Sequence, residues 1–106
     1  MSTGLERLVR AYLDHLGVER GASANTLAGY RRDLARYLTH LAGRGITEPT
    51  AVTEAEIAGA GAALAEGTDG RPLAPASVAR ALVAVRGLHR FAAAQGLGED
   101  PAAAIS

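Results

Sequence analysis

A chain of 106 residues is the length of one small domain, and with no cysteine it holds neither a disulfide framework nor a thiolate metal site. The apolar fraction is 48%, yet 24 of those residues are alanine and the aromatics are Phe91 and three tyrosines, so the predicted core is thin and leucine-based. The formal net charge of zero excludes a uniformly basic nucleic-acid binder, and no stretch approaches the roughly 18 apolar residues of a membrane span.

Met1 to Gly4 carries neither a basic region nor a long apolar run, so the expectation is a soluble, cytoplasmic chain. A first helix is predicted from about Thr3 to Leu16, with Leu5, Leu8, Val9, Tyr12, Leu13 and Leu16 on one face and Gly17 as its stop. Val18 to Ala22 reads as a loop. Ser23 and Asn25 then offer short polar side chains that can cap a helix start. The second helix is predicted from about Asn25 to Ala42, and Leu27, Tyr30, Leu34, Leu38 and Leu41 form its apolar stripe. Gly43-Arg44-Gly45 ends it, and Ile46 to Val52 is a connection that tucks both of its end residues inward.

Thr53, with Glu56 three residues on, predicts a capping box at the start of a third helix. Its body, Ile57 to Leu64, contains Gly59 and Gly61, each costing about 1 kcal/mol relative to alanine, so this helix is expected to be weak and short. Gly67 to Pro72 is a predicted turn. A fourth helix starts near Pro75 and ends before Gly96, with Val78, Leu82, Val85, Leu88 or His89, and Ala92 as its inner stripe. Leu97 to Ser106 reads as the start of a linker. No segment needs a strand, and the expected fold is an all-α bundle of four helices.

Charge is segregated along the chain. Residues 20–44 hold five arginines and one acid, residues 45–70 five acids and no base, and residues 71–98 four arginines and no acid. Two basic blocks separated by an acidic one allow one positive face and one negative face, and a positive face is the footprint that DNA requires. Affinity for DNA follows local phosphate contacts, so a neutral total is compatible with it.

No catalytic constellation is present. His15, His40 and His89 fall on three different predicted helices and read as surface or helix-edge imidazoles, without metal-ligand spacing. The glycines match no phosphate-binding loop. Glu54, Glu56, Glu66 and Asp69 read as a solvated face, and Tyr12, Tyr30 and Tyr37 as packing residues.

Three blocks carry a resemblance. Ser23-Ala24-Asn25-Thr26-Leu27-Ala28-Gly29-Tyr30-Arg31-Arg32-Asp33-Leu34 resembles the pattern S-x-N-T-L-x-x-Y-x-R-D-L of the N-terminal core-binding domain of tyrosine recombinases. Ser77 to Phe91 resembles the S-x-x-R-x-L-x-A-x-R-x-L-x-x-F pattern of the family's fourth helix. Gly98-Glu99-Asp100-Pro101-Ala102 resembles its (D/N)-P-A entry into the interdomain linker. The nearest likeness is to the Xer-type chromosome-dimer recombinases and related integrases.

The resemblance implies a SAM-like four-helix core-binding bundle over residues 1–96, with 97–106 as the start of a linker to a C-terminal catalytic domain that lies outside this sequence. It implies a DNA-binding role in site-specific integration and recombination. The family's nucleophilic tyrosine and its supporting arginines, histidine and lysine lie in that other domain, so no catalytic residue and no metal or nucleotide cofactor is expected here. The implied partners are a double-stranded recombination site and sister recombinase subunits in a synaptic tetramer; the isolated domain is expected to be monomeric.

Carried over position by position, the expected DNA contacts are Asn25, Thr26 and Arg32 on the second helix and Ser77 and Arg80 on the fourth. Arginine suits either phosphate or guanine. Ala28, Gly29 and Ala76 are small where relatives often carry larger polar groups, which implies sparse base reading. Asp33 is expected to pair an arginine, either Arg36 or one on the fourth helix. The alternative is a helical protein-interaction module whose arginines are only a solvated coat.

Overall fold

The computed structural model describes residues 1–67 and 70–103. Four α-helices make up the fold, and no strand occurs among the described residues: α1 (Gly4–Asp14), α2 (Ala24–Gly43), α3 (Glu54–Glu66) and α4 (Pro75–Ala94). The predicted turn Gly67 to Pro72 falls partly outside the described residues, at Thr68 and Asp69, as does the tail beyond Ala103.

Side-chain caps satisfy a first-turn donor at the starts of α1, α2 and α3. Thr3 and Glu6 form a reciprocal capping box on α1. The Gly4 N–H also donates to Glu48 and the Leu5 N–H to the Thr47 carbonyl, so the connection after α2 closes the open end of α1. At α3, Thr53 caps the Glu56 N–H, but the Glu56 carboxylate pairs with Arg44 rather than returning to Thr53, so only half of the expected box forms.

Gly17 does not stop the first helix. The chain widens into a π-helical turn over His15–Glu19, and Gly17 lies inside it, 3.2 Å from Leu27 Cδ1 if given a Cβ. Gly17 is therefore a packing glycine against α2. The third helix is a full 13 residues, longer than its glycines suggested, because Ile57, Ala60 and Leu64 are buried and hold it down.

Helices α2 and α4 form the central pair, and each also packs on α1 and α3. Leu5, Leu8, Leu34, Tyr37, Leu41, Val85 and Leu88 are among the residues filling the core between them. The inner face of α4 is Ala81, Ala84, Val85, Leu88, His89 and Ala92, whereas Val78 and Leu82, expected on it, are half-buried. Ala81, Ala84 and Ala92 make half of that face small.

His89 is no surface or helix-edge imidazole but lies on the inner stripe of α4, where it stood as the alternative to Leu88. It is 1% exposed, and its Nε2 lies 2.7 Å from the Tyr37 hydroxyl in an edge-on contact. Burial pushes its pKa down, against a smaller upward pull from Asp100. Burial also raises the pKa of the Tyr37 hydroxyl. His40 is partly buried with Nε2 unpartnered among the described residues, and His15 bridges to Glu19.

The chain after α4 returns to the core. The Leu97 N–H bonds to the Ala92 carbonyl, Asp100 accepts from the Ala102 N–H, and Ala102 is buried in the core cluster.

Candidate nucleic-acid interface

The N-terminus of α2 is built by Ser23. Its hydroxyl accepts from the Thr26 N–H at 3.1 Å and donates to the Thr26 hydroxyl at 3.0 Å. Ser23, not Asn25, is the cap; Asn25 stands exposed at the second helical position. Thr26 is exposed too, with its hydroxyl oriented by Ser23. The N-terminus of α4 is different: Ala74 caps it without a side-chain oxygen, and Pro75 removes one donor at the first position. The first-turn N–H groups of both helices give these ends partial positive charge.

Asp33 joins the two helices. Its side chain is fully buried, and Arg80 of α4 donates Nε to Oδ2 and Nη2 to Oδ1, both at 3.0 Å. Arg36, one turn along α2, brings Nη1 to 3.7 Å from Oδ1. A carboxylate taken out of water is costly unless charges and donors compensate it, and two guanidinium groups do so here. The paired hydrogen bonds and the charge of Asp33 raise the pKa of Arg80 further. Arg80 is still half exposed, at 51%.

The Asp33–Arg80 and Tyr37–His89 pairs advance in the same sense along both helices, so α2 and α4 point the same way where they touch. Thr26 lies seven residues before Asp33, about two turns, and so on the same side of α2. Ser77 lies one turn before Arg80 on α4. Thr26, Ser77 and Arg80 therefore border one seam. Arg32 and Asn25 lie on the adjoining face of α2, in line with Gly29 and Arg36. The Arg32 guanidinium reaches back over Gly29, where a Cβ would stand 3.9 Å from Nη2.

One arginine from each basic block, Arg36 and Arg80, thus meets the other at this seam. Arg31, Arg32 and Arg86 have no ion-pair partner among the described residues. Arg44 is taken up by Glu56, and Arg7 and Arg10 by Ser2. Sequence reasoning anticipated that Asp33 would find an arginine. It did not assign that partner to Arg80, because periodicity places a residue on a face without saying which side chain reaches across to it. Arg36, the other partner expected for Asp33, stands beside it on the same carboxylate. Among the described residues, no group of acidic, histidine or cysteine side chains is arranged to hold a metal. No helix there is long and apolar enough to cross a membrane.

Comparison with known proteins agrees with this architecture. Residues 9–96 match the family model described as phage integrase, N-terminal SAM-like domain. The chain is 52% identical over 101 residues to tyrosine recombinase XerD of Mycobacterium tuberculosis, covering 92% of this chain and 32% of that protein. It is 43% identical over 101 residues to tyrosine recombinase XerD of Corynebacterium glutamicum, covering 93% of this chain and 33% of that protein. It is 38% identical over 103 residues to tyrosine recombinase XerC of Pseudomonas putida, covering 96% and 33%. The chain spans about a third of the length of the curated relatives it matches. No solved structure matches it significantly. With the family model covering most of the chain and the helical bundle present, this protein belongs to the phage integrase N-terminal SAM-like domain family.

Proposed function

We propose that this chain is the DNA-binding N-terminal domain of a site-specific tyrosine recombinase of the Xer type, clamping one recombination half-site. The observation that carries the reading is the α2/α4 seam, where an arginine from each basic block, Arg36 and Arg80, meets on Asp33. Asn25, Thr26, Arg32, Ser77 and Arg80 are the proposed contacts. Exposed arginines neutralise phosphates, and the two helix N-termini favour the same negative charge. Base reading is a minor part of the proposal, because Ala28, Gly29 and Ala76 offer no donors or acceptors beside those residues.

In this reading the fragment breaks no DNA. Strand exchange through a phosphotyrosine belongs to the remainder of a full-length recombinase, which also brings subunits together into a synaptic tetramer. The fragment alone is monomeric and cytoplasmic.

The test is a titration of a labelled duplex with the 106-residue chain at low and at physiological salt. Binding of about micromolar strength or weaker that falls steeply with salt is expected, since few phosphate contacts are made and half of the clamp is missing. A folded chain that binds no duplex at any salt favours the protein-interaction alternative instead.

A further inference from the structure

We propose that Asp33 is a positioning residue for the DNA-facing arginines: its buried carboxylate holds Arg80 in one orientation across the α2/α4 seam, with Arg36 beside it. This rests on the reading of the seam as the DNA face.

Arginine has five N–H donors in a rigid plane. Asp33 takes the Nε–H and one Nη2–H of Arg80, along one edge. The three remaining N–H bonds point away from the carboxylate by the geometry of the group itself. Half of the side chain is exposed, so those donors are open to a ligand. A free surface arginine must be immobilised when it binds; Arg80 is already ordered by the fold, which lowers that cost at the moment of contact. Arg36, at 29% exposure, leans on Oδ1 of the same carboxylate. Two cations on one buried anion leave a surplus positive charge fixed at the seam.

Asp33→Asn separates this role from simple electrostatics. It keeps the shape of the side chain but presents an amide N–H₂ toward guanidinium donors. It also makes the chain more positive by one charge. If the arginines act only as a diffuse coat, the added charge strengthens DNA binding. If Asp33 positions them, binding weakens in spite of the added charge. Arg80→Lys is the companion variant: it conserves charge but cannot make the two-bond edge contact.

The experiment measures duplex affinity at low salt for the 106-residue chain, for D33N, R80K and R80A, and for D33N combined with R80A, with helical content checked by circular dichroism. D33N and R80K are each expected to bind about fivefold or more weakly than the unaltered chain, the size of one oriented charge contact. D33N should add little further loss in the R80A background, because both changes remove the same arrangement. A folded D33N that binds as tightly as the unaltered chain, or more tightly, overturns the proposal. Should D33N fail to fold, R80K decides: unchanged affinity overturns the proposal and weakened affinity supports it. Absence of DNA binding by the unaltered chain overturns the DNA reading itself, and this inference with it. Binding by that chain together with undiminished binding by D33N overturns this inference alone.

Discussion

Gly87 sits in the middle of α4, where alanine is normally the better helix former by up to about 1 kcal/mol. Here the preference reverses, because a Cβ at residue 87 would overlap the Tyr12 hydroxyl. Tyr12 in turn is fixed by a tilted ring contact with Phe91, centroids 5.5 Å apart, so it cannot simply swing away. Gly87→Ala is therefore expected to destabilise the domain by about 1–3 kcal/mol. Urea melts of a double-mutant cycle check this: Tyr12→Phe removes the overlapping oxygen and should recover part of the loss. Strict additivity of the two changes would show that the hydroxyl is not what the glycine accommodates.

His89 makes the fold sensitive to acid. Its pKa is depressed by burial in the folded state, so the unfolded chain binds its proton more readily. The stability that neutral His89 contributes is fully present above the ordinary histidine pKa of about 6.5. It is lost as pH falls through that value toward the lower folded pKa. Thermal melts from pH 7.5 down to pH 5 should show a falling midpoint, less steep in His89→Gln. Equal slopes for the two proteins would remove His89 from the account.

At the scale of elements, α3 is the least secured helix. Gly59 faces open space and Gly61 meets only Leu82, so neither glycine is required by a close approach. Gly59→Ala is expected to stabilise the domain by about 0.5–1 kcal/mol, read from the denaturation midpoint. In the unaltered chain, amide exchange should be fastest in α3 among the four helices. If Gly59→Ala destabilises, the helix is held in some other way than by its three buried residues.

Much of this architecture was legible in the sequence, and the misses share a physical cause. The starts of α1, α2 and α4 follow from Thr3, Ser23 and Pro75, because capping and proline chemistry are local. The stop at Gly17 was misread because a glycine can serve a neighbouring helix as well as end its own. The inner face of α4 was rotated in the reading because Ala81 and Ala84 look neutral by hydropathy, while helix packing buries them completely. His89 stood both as a helix-edge imidazole and as a candidate for the inner stripe, because its partner Tyr37 is 52 residues away and no local pattern decides between the two. The residues of the candidate interface were proposed one at a time from the sequence, whereas the Asp33–Arg80 bridge spans 47 residues, and no local pattern encodes it.

At the scale of the whole molecule, the family match ends at residue 96, but packing continues beyond it. Ala102 is buried, and the loop that delivers it is held by the Leu97 N–H and by the Asp100 carboxylate. Truncation after Gly96 should leave a helical domain, since the four helices and nearly all of the core remain. It removes the buried methyl of Ala102, worth about 1 kcal/mol, and the melting midpoint should fall by roughly 4–8 °C. It also removes Asp100, whose charge raises the pKa of His89 against the effect of burial. Without that carboxylate the folded pKa of His89 drops further, and the window of acid destabilisation extends to lower pH. The truncated chain should therefore lose stability over a wider acid range than the longer chain, in addition to melting lower at pH 7.5. Parallel pH profiles offset by a constant amount would mean that the returning segment contributes packing alone, with no electrostatic hold on the buried histidine.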